Sequence, residues 1–311
     1  MSQATSSMAY IPFYIAQTKG YFKDEGLDVS VVIAGGGPKA LAALLSNSVE
    51  FALGGATDQI NAYKRGQRDV RVVGSIMKGL ALAVVMQKDV AAKLGITEKT
   101  PLAQRVAAMR GKKVSMTTPG SITDTYMRML FRSQNLEPDK DVSLVPVGTA
   151  DSMLAALRTG TLEVCSCALP LNIVSITEGY GAPLVDGREF EQYRELLFTS
   201  VYTTQQTIEK NPKLVESFVR ALTKAAHLVA TDPAAAKEAT RPFFTKMKPE
   251  IFDASWAYIL PSVPTKLEVT QTAIDQLFAF FEAAKTDMGA PPPFKDLVDM
   301  SFAQRAETQV K

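Results

Sequence analysis

Short apolar runs alternate with stretches of helical spacing along most of the chain. Leu27 to Ala34 and Glu50 to Leu53 are extended in pattern and enclose Pro38 to Leu45, whose apolar residues repeat at helical spacing. The unit recurs: Lys113 to Thr117 reads as a strand, Ile122 to Asn135 as a helix, Val142 to Val147 as a strand, Ala150 to Thr159 as a helix and Leu162 to Ala168 as a strand. Strands that alternate with helices predict parallel sheets covered by helices. Two further extended runs, Leu80 to Gln87 and Leu196 to Thr204, bracket the second series and are expected to pair as crossover strands. The C-terminal third is helical over Pro212 to Thr231, Pro233 to Phe244 and Val269 to Lys285. The predicted organisation is two lobes, residues 1–82 plus 197–311 and residues 83–196.

Composition agrees with this division. At 311 residues the chain exceeds one ordinary hydrophobic core, and 46% hydrophobic with 21% charged residues is a globular balance. The 34 basic and 32 acidic residues are interspersed, so no clustered basic surface is available for nucleic acid. Apolar stretches such as Leu80 to Met86 fall far short of the roughly 20 residues that cross a bilayer. Cys165 and Cys167 stand one residue apart, a tight ring for a disulfide, and are expected as free, buried thiols. With one histidine in the chain, His227, no metal ligand set is expected, nor is a Ser–His–Asp arrangement. The residues after Met1 do not read as a secretion leader.

In open α/β sheets ligands lie beyond the C-terminal ends of the strands. The segments there are small and polar: Ser6-Ser7-Met8, Gly35-Gly36-Gly37-Pro38, Gly54-Gly55-Ala56-Thr57 and Thr117-Thr118-Pro119-Gly120-Ser121. Backbone N–H groups at Gly37 to Lys39 and at Gly120 to Ile122, at presumed helix starts, suit an anion. Neither loop has a Walker lysine, so nucleotide binding is not expected. Met8 and Tyr10 precede the first helix and are candidates to line the pocket, whereas Trp256 and Tyr258 read as packing residues. Lys39, Lys78 and Arg128 are the candidate cations.

The run from Ile11 to Val29, with Gly20-Tyr21-Phe22 followed by Glu25-Gly26-Leu27-Asp28-Val29, resembles the opening of the nitrate/sulfonate/taurine and thiamine-precursor binding proteins of ABC transporters. Arg110-Gly111-Lys112-Lys113-Val114 with Pro119-Gly120-Ser121 is similar to the start of that family's second lobe. Leu154 to Glu163 and Asn211-Pro212 through Ala225 resemble two of its later segments. The resemblance implies an α/β fold of the two-lobed type II periplasmic-binding class, each lobe a mostly parallel sheet flanked by helices, the two joined by two hinge strands. It implies a monomer that is secreted to the periplasm or cell surface, hands its cargo to a membrane permease, uses no cofactor and catalyses nothing. Carried over by position, the ligand contacts are Ser7, Met8, Gly37, Pro38, Ala56, Thr57, Gly120, Ser121, Ile122, Leu169 and Asn172; Tyr10 and Thr118 join them from the loop reading. A first strand would normally precede Ser6-Ser7, and with only Met1 to Thr5 available it is expected to be missing. The pocket loops, apolar with small hydroxyls, favour an organic anion such as a sulfonate or aromatic carboxylate. The alternatives are a pyrimidine precursor, a related thiamine-pyrimidine synthase, whose cysteine motif Cys165-Ser166-Cys167 matches only faintly, and an effector-sensing domain of the same fold.

Overall fold

The computed structural model describes residues 1–148, 150–168 and 170–310. In chain order its strands are β1 (Ser2–Gln3), β2 (Val32–Ile33), β3 (Ala52–Gly55), β4 (Val70–Lys78) and β5 (Leu82–Gln87). They continue with β6 (Lys113–Met116), β7 (Ser143–Pro146), β8 (Val164–Ala168), β9 (Gly181–Asp186) and β10 (Leu197–Thr204). Two five-stranded sheets result, ordered β2-β1-β3-β10-β4 and β7-β6-β8-β5-β9. In the first, β1 is parallel to β2 and β3 while β10 is antiparallel to β3 and β4. In the second, β6 is parallel to β7 and β8 while β5 is antiparallel to β8 and β9. Each sheet is therefore parallel except for one reversed strand, the two-lobed type II periplasmic-binding fold.

The sequence pattern misses some of these elements for identifiable reasons. The expected missing first strand is present: Ser2 and Gln3 pair between β2 and β3, and both side chains are buried. Two polar residues give no β pattern, and here hydrogen bonds replace apolar contact. Ser2 Oγ donates to Ala40 O at 2.9 Å, and Gln3 Nε2 donates to Thr5 O at 2.6 Å and Tyr14 Oη at 2.7 Å. Of Leu27 to Ala34, only Val32–Ile33 is strand, an exposed edge. The strands β4 and β9 have no counterpart among the runs read from sequence. Arg71, Gly74 and Ser75 interrupt the apolar pattern of β4, and Pro183 interrupts that of β9, which is tolerated because β9 is an edge. The predicted helix from Pro233 turns 3-10 at Arg241–Phe244, where Pro242 cannot donate to the helical ladder.

The runs that become β5 and β10 do not pair with each other, contrary to the pattern reading, but join different sheets. Contact between the two crossings is made instead by the connections beside them. Gly79 N–H donates to Leu196 O at 2.8 Å, Lys78 Nζ meets Glu195 Oε2 at 2.8 Å, and Leu197 pairs with Lys78. Gly79 has φ +75°, which favours glycine. A Cβ on Gly187 would lie 2.3 Å from Leu80 O and 2.9 Å from Leu82 O, so the backbones approach more closely than any side chain allows. The main apolar core is continuous through this region, from Leu53 and Val201 to Leu82, Val84 and Leu184. The Pro212–Thr231 helix seals the first sheet's flank, where the Phe218 ring stacks on Phe51 with centroids 3.9 Å apart.

Gly187→Ala should lower stability by about 1–3 kcal/mol, the usual cost of overpacking, because backbone rather than a flexible side chain must move. Urea denaturation followed by circular dichroism measures this. An unchanged midpoint would mean that the crossings are not held in contact in solution.

Candidate functional site

Strand polarity decides where the loops meet. The strand β5 begins at Leu82 opposite Ala168, the last residue of β8, and β10 begins opposite Lys78 and Gly55, the last residues of β4 and β3. Both crossings thus leave the sheets at the ends where the parallel strands finish. The loops after β1, β2, β3, β6 and β8 stand on that side of their sheets.

In the first lobe, Ser7 caps a 3-10 turn, its Oγ accepting from Ala9 N–H at 3.3 Å. Met8 and Tyr10, candidates to line the pocket, are 0% and 4% exposed and pack in the core. Pro38 and Lys39 are exposed at the start of the Gly37–Leu45 helix, while Ala56 and Thr57 are buried at the start of the Ala56–Lys64 helix. Gly37 and Gly55 gather around Asp58, a residue the motif reading passed over. Gly55 N–H donates to Asp58 Oδ2 at 3.1 Å, and a Cβ on Gly37 would sit 1.8 Å from that oxygen. Tyr202 Oη donates to Gly55 O at 2.6 Å and braces the turn. The carboxyl is enclosed by protein, although one edge of the residue meets solvent, and burial pushes its pKa up to about 6 against the Gly55 hydrogen bond and the Arg65 charge.

In the second lobe, Ser121 caps the Ile122–Ser133 helix, accepting from Asp124 N–H at 3.4 Å. Thr117, Ser121 and Thr123 form a ring of hydroxyls with Oγ separations of 2.8, 2.9 and 2.9 Å. The exposed Thr118 and Gly120 stand beside it and Ile122 is half-buried. The Gly120 N–H, expected to hold an anion, donates to Asp124 Oδ2 at 2.8 Å. Asp124 is charge-balanced by Arg128, whose Nε donates to Oδ1 at 2.9 Å and whose other nitrogens reach Asp139. The signal for Asp124 was legible as Ser121-x-x-Asp124, the spacing of a helix cap.

Two of the three candidate cations are thus committed to the chain's own carboxylates, Arg128 to Asp124 and Asp139 and Lys78 to Glu195. Lys39 is exposed. Leu169 lies outside the described residues, and Asn172 is buried at the start of the Leu171–Thr177 helix. Cys165 and Cys167, expected as free thiols, are joined as a disulfide. On an extended strand residues i and i+2 share a face, and the Cα separation of 5.6 Å lies within the range a disulfide spans. Among the described residues no group of His, Cys, Asp and Glu could hold a metal ion, and no helix is long and apolar enough to cross a membrane.

The model of the NMT1-like family matches residues 5–242, covering both sets of loops. The chain belongs to the NMT1-like family. Among proteins it resembles, YtlA of Bacillus subtilis is 25% identical over 257 residues, 82% of this chain and 73% of that one. A 4-amino-5-hydroxymethyl-2-methylpyrimidine phosphate synthase of Aspergillus parasiticus is 26% identical over 267 residues, 80% and 72% of the two chains. The solved alkanesulfonate-binding protein SsuA of Xanthomonas axonopodis, bound to MOPS, superposes with a TM-score of 0.76 at 16% identity, covering 96% of this chain and 97% of that one. That likeness corroborates the fold of this NMT1-like chain.

Burial raises the Asp58 pKa above its unfolded value, so the stability it contributes is full below about pH 4 and is lost as pH rises through about 6. Asp58→Asn keeps an acceptor for Gly55 N–H and removes the buried charge. The variant should match wild type at pH 4 and exceed it at pH 8 by about 2 kcal/mol, allowing for solvent at the open edge. Thermal melts across this range test the assignment; a constant difference would contradict it.

Proposed function

We propose that this chain is the extracytoplasmic solute-binding component of an ABC importer. Residues 1–82 plus 197–311 form one lobe and residues 83–196 the other, and a small organic molecule is held between them for delivery to a membrane permease. The protein works as a secreted monomer, periplasmic or at the cell surface, without cofactor or nucleic acid. The observation that carries the reading is the placement of both sets of strand-end loops at the crossing ends of sheets joined by two adjacent connections, an arrangement suited to closing on cargo. Family membership and the SsuA likeness support it.

The ligand is an organic anion, a sulfonate or carboxylate, that also carries an amine or other hydrogen-bond donor. The hydroxyl ring of Thr117, Ser121 and Thr123 supplies neutral partners for the acid group, and Asp58 on the opposite lobe, pushed up to about 6, becomes predominantly carboxylate only well above that pH. A bare inorganic anion would meet repulsion there. Ser7, Gly37, Pro38 and Thr118 supply the remaining contacts, while Met8, Tyr10, Ala56, Thr57 and Ile122 shape the walls beneath. The resemblance to a synthase raises an enzymatic alternative. Against it, the lone histidine sits 3.1 Å from Glu307 between the Pro212–Thr231 and Ser301–Gln309 helices, so no imidazole reaches the strand-end loops.

Calorimetric titration should find aminoalkanesulfonates binding more tightly than alkanesulfonates of equal length, with affinity falling about tenfold from pH 8 to pH 5 as Asp58 protonates. Ser121→Ala should cost about 0.5–1.5 kcal/mol of binding. Small-angle scattering should report a smaller radius of gyration with ligand. If Asp58→Asn tightens binding of these ligands, or no such compound binds, this ligand assignment fails.

A further inference from the structure

The Gln271–Ala283 helix crosses from one half of the molecule to the other. Just before it, Leu267 O accepts from Ser75 N–H of β4 at 2.8 Å. Midway it rests on the connection from β9 to β10, where Gln276 Oε1 accepts from Glu195 N–H at 2.8 Å and the Phe280 ring meets Tyr193 edge-on at 5.6 Å. Its end reaches the second sheet's helices: Arg132 of the Ile122–Ser133 helix donates to Ala284 O, and Lys285 Nζ lies 4.0 Å from Glu137. A guanidinium suits that position, because the last carbonyls of a helix carry partial negative charge. Just beyond, the chain is tied back to the first sheet's side, where Lys64 of the Ala56–Lys64 helix donates to Asp287 O at 2.6 Å and to Asp287 Oδ2 at 2.7 Å. Residues 284–287 are thus held from both halves at once.

Lys64 and Arg132 both lie in the last turn of helices that begin at the candidate site, one after Gly55 and the other after Ser121. At the helical rise per residue they stand about 12 and 15 Å along the axis from those starts. In this arrangement Pro38, Lys39, Thr118 and Gly120 are exposed, so the loops of the two sheets stand apart. We infer that residues 284–287 form a strap behind the crossings that ties the far ends of these helices and holds the loops apart, so that closure on a ligand must stretch or release it. The inference rests on the two-lobe reading proposed above. With the crossings between the loops and the strap, drawing the near ends together drives the far ends apart. Arg188 also bridges the halves, donating to Tyr258 O at 2.8 Å, but it sits on a crossing next to Gly187 and acts on a short arm. A strap of this kind lowers the closed fraction, and with it the apparent affinity for cargo, without touching the ligand.

Pulsed electron paramagnetic resonance between spin labels at Ala42→Cys and Asp151→Cys tests the strap on the ligand-free full chain. Both positions are exposed and lie in the first two turns of helices that start at strand-end loops. Cys165 and Cys167 are joined, so only the introduced thiols react. Lys64→Met should shift the label distances towards shorter values. Arg158→Met, which removes the same charge from an ion pair with Glu178 within the second half, should leave them unchanged. Calorimetry with taurine should find Lys64→Met binding about two- to fivefold more tightly than wild type, the size expected for one exposed ion pair. The strap is refuted if Lys64→Met leaves the label distances unchanged, lengthens them or does no more than Arg158→Met, or if taurine binds the variant no more tightly than wild type. If taurine binds neither protein, the ligand assignment fails and the label distances alone decide the strap. Arg132→Met should act in the same direction; should it fail to fold, Lys64→Met decides, because that side chain is exposed.

Discussion

Two passes of the chain from one sheet to the other, pressed backbone to backbone at Gly79 with Leu196 and at Gly187 with Leu80, constrain everything else in this molecule. Each connection has to enter its new sheet from the edge where parallel strands end, so each delivers one strand that runs against its neighbours. That reversal is why β5 and β10 are antiparallel in otherwise parallel sheets. It also explains why the glycine- and hydroxyl-rich loops of both sheets stand beside the same pair of connections. Glycine is required at position 187 by the space available, and no other residue type would let the two carbonyl-bearing segments lie so close.

The second organising feature is electrostatic. Asp58 and Asp124 each fold back onto a glycine N–H just before their own helix, Gly55 in one lobe and Gly120 in the other. Both cap a helix start that would otherwise attract an external anion. Their environments differ. Asp124 has Arg128 as counter-ion, whereas Asp58 has a single backbone donor and a remote arginine and is pushed up to about 6. The same capping device thus leaves one lobe electrically quiet and gives the other a titrating carboxylate.

Much of this architecture was legible in the sequence because period-2 and helical spacing alternate cleanly from Lys113 to Ala168 and over Pro212 to Thr231. The elements that escaped were those whose burial is not apolar or whose pattern is broken. Ser2 and Gln3 form a central strand held by polar contacts, β4 carries Arg71 and Gly74, and β9 tolerates Pro183 only because nothing pairs beyond it. At the candidate site, loop composition points to segments that the fold brings to the crossing ends of the sheets, but not to the state of their donors. That Gly120 N–H is already taken, or that Lys78 is bound to Glu195 more than a hundred positions away, depends on long-range placement that no local spacing encodes. Cys165 and Cys167 differ for a local reason, since extended backbone brings alternate residues onto one face.

The position of β10 between β3 and β4 bears on how the chain acquires its structure. The second sheet is assembled from a continuous stretch, residues 82 to 186, and can form as soon as that stretch exists. The first sheet has a gap in its middle until residues 197 to 204 arrive, leaving Ala52 to Gly55 and Val70 to Lys78 without their shared neighbour. Such distant pairing is slow, because the loop must close before any contact rewards it. The sheet that needs residues 197 to 204 in its middle is therefore completed after the sheet built from residues 82 to 186.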